Sequence, residues 1–189
     1  MKKLIHTYGD PVLREKARPV EKVDEAIRAL IRDMLETMRA ERGVGLAAEQ
    51  VGEAVAVCII EVPLEMDRDE QGLLFNPGVT MPMAFINPRL VSASRETETA
   101  DEGCLSFPDI YAPIQRPVEV TVDYLDLQGQ PQTRTFRKFI ARAIQHEMDH
   151  LAGVLLVDRM SAMKKITLSG QIKRLKRQTR EQLAGQAAP

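Results

Sequence analysis

His146 and His150 stand four residues apart in the segment RKFIARAIQHEMDHLAGV, residues 137–154. Apolar residues recur there at helical spacing, and residues i and i+4 lie one above the other on a helix face. Both imidazoles can therefore reach a single ion. Glu147, one residue on, sits at the edge of that face, close enough to reach a water on the ion without being a ligand. This is the histidine–glutamate–histidine arrangement of metal hydrolases.

A catalytic ion needs a third protein ligand and one open position. Some zinc peptidases take the third ligand from a histidine six residues beyond the second, but here that residue is Leu156. Others use a later glutamate, and the only one, Glu181, follows a long basic stretch. The soft donor left in a polar stretch is Cys104, in DEGCLSFPD. Cysteine with two histidines suits a tetrahedral divalent ion, and the thiolate makes both zinc and ferrous iron fitting. The other cysteine, Cys58, sits in the apolar run AVAVCIIEV and reads as strand packing.

An ion of this kind lowers the pKa of a bound water to about 7, making a nucleophile at neutral pH. An attacked carbonyl then develops negative charge that needs hydrogen-bond donors. The Gln50 side-chain amide and the backbone N–H of Leu105 are candidates for that role. Glu147 is the candidate to take a proton from water and pass it to the leaving amine. The residues point to hydrolysis of an amide-like carbonyl.

The elements that must carry these groups can be read in outline. Asp24–Arg42 has helical apolar spacing, with Gly43 placed to end it. GVGLAAEQVG, residues 43–52, reads as a tight glycine-rich loop, and 54–62 as a strand. Residues 63–82 read as a long surface loop, and 84–91 as a strand interrupted by Pro88. The alternating run 118–128 forms a hairpin with 132–136. Helices follow over about 139–151 and 161–183, with Gly170 weakening the second. Central strands between helical ends predict an α+β fold: antiparallel or mixed strands around a central metal-binding helix, with a C-terminal helix.

The chain has 189 residues, 44% of them hydrophobic and 28% charged, with a formal net charge of -1. That length predicts a single domain over 1–189, with a catalytic core at 1–160 and a basic C-terminal helix and tail at 161–189. The longest apolar runs are far shorter than the roughly 20 residues of a membrane span. His6, Asp10 and Arg14 interrupt the N-terminal stretch before a signal-peptide core forms, so a cytoplasmic location with no membrane partner is expected.

Three segments together, GVGLAAEQVG (43–52), EGCLS (102–106) and QHEMDHLAG (145–153), resemble the peptide deformylase family in residues, order and spacing. The N-terminal GDPVLREKARPV agrees, so the resemblance runs from about residue 4 to 160. It implies removal of the formyl group from the N-terminal formylmethionine of nascent polypeptides, releasing formate. It implies Cys104, His146 and His150 as ligands of one divalent metal ion, with Fe(2+) expected and Zn(2+) or Ni(2+) able to replace it. It implies Glu147 as general acid/base and Gln50 with the Leu105 amide as oxyanion donors. Gly45 would hold the extended peptide by its backbone, and Glu102 would pair with Arg116 in support of Cys104. Phe139 and Ala143, seven and three residues before His146, are candidates for the methionine pocket, with plain core packing as the other reading.

There are departures. Glu49 stands where the family often has proline or a small polar residue, and Phe107 where an aliphatic is usual. Tyr111 takes a place that holds a peptide-contacting arginine in some members, and the 63–82 loop is longer than in compact ones. After Ser161, seven lysines and arginines precede the first acid, Glu181, a basic stripe fit to meet ribosomal RNA at the exit tunnel. Two other classes remain open: a non-catalytic protein with a structural zinc, and a general metallopeptidase cutting unformylated peptides internally.

Overall fold

The computed structural model describes residues 1–186. After a one-turn 3-10 helix at Pro11–Arg14 comes α1 (Glu25–Ala40), which begins where the Asp24 carboxylate accepts the Ile27 N–H. The strands are β1 (Gly45–Ala47), β2 (Val57–Ile60), β3 (Met83–Ala93), β4 (Thr97–Cys104), β5 (Phe107–Pro117), β6 (Glu119–Leu125) and β7 (Pro131–Arg137). Helices α2 (Lys138–Leu151), α3 (Leu156–Arg159), α4 (Ala162–Thr167) and α5 (Ser169–Gln186) complete the chain.

Five strands form one antiparallel sheet in the order β1-β2-β3-β6-β7, and β4 and β5 form a separate hairpin. α2 packs against β1, β2, β6 and β7 on one side and against β5 on the other. The expected α+β arrangement around a central helix is what the chain adopts. One core cluster lies between the sheet and α2, built on Phe85, Phe136, Ile140 and Ile144. A second joins α1 to β1 and β2 through Ile31, Met34 and Ile59. Burying such side chains stabilises by about 1.5–3 kcal/mol each.

Several elements differ from the sequence reading. The glycine-rich segment 43–52 is not all loop: it holds β1 and a 3-10 turn at Ala48–Val51. The strand expected over 54–62 is shorter, Val57–Ile60. Pro88 does not end β3; the register shifts between Ile86 and Arg89, and Asn87 takes φ 51° to absorb the irregularity. The segment holding Cys104 is no loose polar stretch but the β4–β5 hairpin. Acids and threonines fill β4, and prolines interrupt β5 at its exposed or half-buried positions, so neither reads as a strand. Yet Phe107, Ile110, Ala112, Ile114 and Arg116 of β5 are buried.

The C-terminal helix, expected as one element weakened at Gly170, is two pieces broken at Leu168, and Gly170 falls in the first turn of α5. α5 docks through Ile172 and Leu175 onto a third cluster with Leu13 and Phe107, and Thr179 Oγ1 lies 2.6 Å from Thr7 Oγ1. Residues 187–189 of the expected tail lie outside the described residues. Among the described residues no helix is long and apolar enough to cross a membrane.

The 63–82 segment is pinned at its centre. Asn76, buried, accepts the Arg137 N–H at 2.8 Å and donates to the Arg137 carbonyl at 3.1 Å, just where β7 passes into α2. Removing the amide strands those backbone groups, at a cost of about 1–3 kcal/mol. Asn76→Ala is expected to lose that much stability in urea unfolding; an unchanged midpoint would mean that water replaces the clamp.

Candidate metal centre

The α2 backbone starts abruptly. Lys138, at φ 54°, turns the chain from β7 into the helix while its N–H donates to the Val118 carbonyl at 2.7 Å. The helix then presents His146 and His150 on one face, their ring centroids 5.2 Å apart. Cys104 reaches the same place from the end of the β4–β5 hairpin. Leu105 and Ser106 alone separate the paired residues Cys104 and Phe107, and the Tyr8 N–H fixes the turn through the Ser106 carbonyl at 2.9 Å.

The Cys104 sulfur lies 3.2 Å from His150 Nε2, and donor atoms of Cys104, His146 and His150 all fall within 4.8 Å of one another. His150 is 1% exposed and His146 9%. Burial pushes the His150 imidazole well below its usual pKa, whereas at His146 burial is outweighed by the bonds to Cys104 and Glu102, which raise it. A thiol and two imidazoles with facing nitrogens fit a divalent ion in their number and chemistry. His6, the one other histidine, is committed elsewhere: its Nδ1 lies 2.6 Å from Asp10 Oδ2. A closed four-ligand zinc site is thus not what the described residues assemble, since the metal-capable group has three members.

Glu102 holds this arrangement from behind. Its Oε1 accepts from Arg116 Nε at 2.7 Å and Arg142 Nη1 at 2.8 Å, and its Oε2 from Arg116 Nη2 at 2.9 Å and His146 Nδ1 at 3.0 Å. Burial opposes ionisation, but the bonds from His146 and Arg116 outweigh it and hold the carboxyl at about 2. The structure thus brings together the expected Glu102–Arg116 pair, and Glu102 also orients His146 by leaving Nε2 free. Arg142 and Asp149 were missed by the sequence reading. Arg142 also donates to the carbonyls of Ile114 and Glu98, and Asp149 accepts from Arg116 Nη1 at 2.8 Å.

A cleft of about 540 Å³ opens over these groups. It is lined by Gly45, Gln50, Leu105, Phe139, Ala143 and Glu147 among others, so every expected substrate-side residue borders it. Arg116 does not; it stays beneath. Gln50 is fixed in place: its Oε1 accepts the Ala47 N–H at 2.8 Å, and its Nε2 points at Cys104 Sγ, 3.5 Å, and Ser106 Oγ, 3.1 Å. Phe139 and Ala143 border the cleft and also pack on the sheet–α2 core. Tyr111 lies 62% exposed at the cleft with its ring against Gly103.

Glu147 is 4% exposed, and burial raises its carboxyl to about 7 despite the opposing charges of His146 and Arg116. Gly45 makes that position possible, because a Cβ there would stand 2.2 Å from Glu147 Oε1.

A buried carboxyl beside three metal-capable donors, on the floor of an open cleft in an α+β fold, defines a metal-dependent hydrolase. The sequence model of the polypeptide deformylase family matches residues 2–166, and the chain belongs to that family. These enzymes remove the formyl group from nascent peptides. Peptide deformylase 2 of Prochlorococcus marinus (strain MIT 9313) is 42% identical over 164 residues, 87% of this chain and 76% of its own length. The Rhizobium meliloti (strain 1021) peptide deformylase is 42% identical over 156 residues, 82% of this chain and 83% of its own. Among solved structures, the Thermotoga maritima peptide deformylase superposes with TM-score 0.74 at 40% identity, covering 85% of this chain and 99% of that one. Peptide deformylase 1B of Arabidopsis thaliana, in complex with an inhibitor, gives 0.82 at 33% identity, covering 95% and 93%.

Gly45→Ala is expected to displace the Glu147 carboxyl and, if that carboxyl takes part in the reaction, to lower kcat/KM for a formylated peptide about 100-fold. Metal content measured on the same protein should not change. A variant as active as the parent would show that Glu147 tolerates the intrusion.

Proposed function

We propose that Cys104, His146 and His150 hold one divalent ion, Fe(2+) in the cell with Zn(2+) or Ni(2+) able to replace it, and that deformylation takes place above them. The observation that carries this reading is the gathering of three donor atoms within 4.8 Å beside the buried Glu147. When bound, the ion supplies Lewis acidity, which makes water a nucleophile near neutral pH and polarises a carbonyl.

The chain's own residues do the rest. Glu147 takes the proton of the attacking water on its carboxyl and delivers it to the departing amine, so that formate and a free amino terminus result. Gln50 Nε2 and the Leu105 backbone N–H donate to the oxygen as it gains charge. Gly45 offers its backbone to an extended peptide, and Phe139 with Ala143 forms the apolar recess for the methionine side chain. Close walls around the carbonyl admit the hydrogen of a formyl group where acetyl would bring a methyl.

Residues 1–160 act as the catalytic core and 161–189 as a basic appendage of the same unit, working in the cytoplasm. In α4 and α5, Lys165, Lys173, Arg174, Arg177 and Arg180 are exposed. They form a surface suited to the phosphates of ribosomal RNA.

Protein prepared without oxygen should carry about one metal ion per chain and release formate from formyl-Met-Ala-Ser, as stoichiometry from one site requires. New amino termini inside an unformylated peptide would favour the metallopeptidase reading instead. Glu147→Ala should keep the ion and lose turnover by at least about 100-fold, the lower end for a general acid–base group. Retained activity removes Glu147 from the proton transfers.

Changing Lys173, Arg174, Arg177 and Arg180 together to alanine should weaken cosedimentation with ribosomes in low salt and leave formate release intact. Unchanged cosedimentation would retire the ribosome contact.

A further inference from the structure

Two backbone donors near the N-terminus tie together the turns on which Gln50 and Leu105 stand. The His6 N–H donates to the Gln50 carbonyl at 2.8 Å, and the Tyr8 N–H donates to the Ser106 carbonyl at 2.9 Å. Gln50 lies in the Ala48–Val51 turn, and Ser106 in the two-residue link that also carries Leu105. A chain spans at most about 3.6 Å per residue, so nitrogens two residues apart separate by no more than about 7 Å. The tripeptide His6–Tyr8 therefore limits how far one turn can move from the other. Across the same gap Gln50 Nε2 reaches Ser106 Oγ at 3.1 Å.

Each end of the tripeptide is seated by its own ring. The His6 imidazole lies over Gly52, where a Cβ would stand 2.8 Å from Nε2, and its Nδ1 is 2.6 Å from Asp10 Oδ2. Gly52, at φ 86°, closes the turn that bears Gln50. The Tyr8 ring stacks on Phe107, with centroids 4.8 Å apart and planes 26° from parallel. Phe107 is 1% exposed and pairs with Cys104 across the hairpin, directly after Leu105 and Ser106. The ring at residue 8 thus grips the same link that its N–H holds.

An oxygen that gains charge in the transition state is served only by donors already aimed at it, and a misplacement of about 1 Å can cost about 100-fold. We propose that Tyr8 is a positioning residue for deformylation, holding the Leu105 link at a set distance from Gln50 so that both donors meet one oxygen. Tyr8 is not among the residues that line the cleft. It acts through the two turns and touches neither ion nor substrate.

The inference rests on the reading of Gln50 and the Leu105 N–H as oxyanion donors, and a double-mutant cycle separates the two. Values of kcat and KM for formyl-Met-Ala-Ser are measured at matched metal content for the wild type, Tyr8→Ala, Gln50→Ala and the double variant. Tyr8→Ala is expected to lower kcat about 10- to 100-fold with KM within about twofold, and Tyr8→Phe, which keeps the stacked ring, to stay near the wild type. Because Tyr8 acts through the donor pair, the double variant should turn over little more slowly than Gln50→Ala alone. Wild-type kcat in Tyr8→Ala overturns the proposal. Losses that multiply in the double variant overturn it as well, since they mark a general loosening independent of the donors. Wild-type kcat in Gln50→Ala overturns the oxyanion reading itself. If Tyr8→Ala does not fold, Tyr8→Leu takes its place in the cycle, keeping apolar bulk without the flat face, and the same outcomes decide.

Discussion

One buried carboxylate carries most of the organisation of this protein. Glu102 receives four charge-assisted or imidazole hydrogen bonds, from Arg116, Arg142 and His146, on two oxygens. A lone carboxylate in that position would be prohibitively costly, and even a paired one returns little net stability after desolvation. What the cluster confers is position. It ties β4 to β5 through Arg116, and the hairpin to α2 through both Arg142 and His146. Arg116 adds Asp149, which in turn holds Arg159 Nε at 2.9 Å. Breaking any one link leaves a buried charge without its partner, so the two elements bearing the metal-capable donors cannot drift apart cheaply.

That constraint explains which parts of the site were readable in the sequence. The pair His146–His150 and the place of Glu147 follow from helical spacing alone, a local property. Cys104 was reached by elimination, because its proximity to the histidines depends on a hairpin whose strands do not look like strands. Thr97–Cys104 is written in acids and threonines because most of it is exposed, and only Glu102 is buried. Pro113 and Pro117 interrupt the alternation of β5 where the ladder tolerates them. Arg142 and Asp149 were invisible for a related reason: charged residues on a helix that also carries Lys138, Gln145 and His146 have meaning only once a buried carboxylate or arginine is known to face them.

The rest of the fold divides in the same way. α1, the β6–β7 hairpin and α2 were legible because their apolar residues recur at one period over a whole element. β1 was not, since three residues in a glycine-rich segment carry no period. Gln50 owes its aim to that short strand: its Oε1 is spent on the Ala47 N–H at 2.8 Å, which leaves only the Nε2 donor turned to Cys104 and Ser106. The break at Leu168 was not legible at all: 161–183 reads as one helix weakened at Gly170, because glycine is the weaker helix former. The docking of Ile172 and Leu175 against the core holds the first turn of α5 against that preference.

Small residues do as much for the cleft as charged ones. Gly45 passes so close to Glu147 that any side chain would enter the space of its carboxyl. Gly43 is similarly confined, with Leu105 Cδ1 2.8 Å from where a Cβ would be. The β1 backbone therefore runs directly beside the acid, and its edge stays open for an extended chain to lie along it. If, as proposed, an extended peptide lies along β1, such closeness joins recognition and chemistry in one wall, since both border the same cleft. The physical reason for glycine at position 45 is thus the reach of Glu147, whose carboxyl a Cβ there would meet at 2.2 Å.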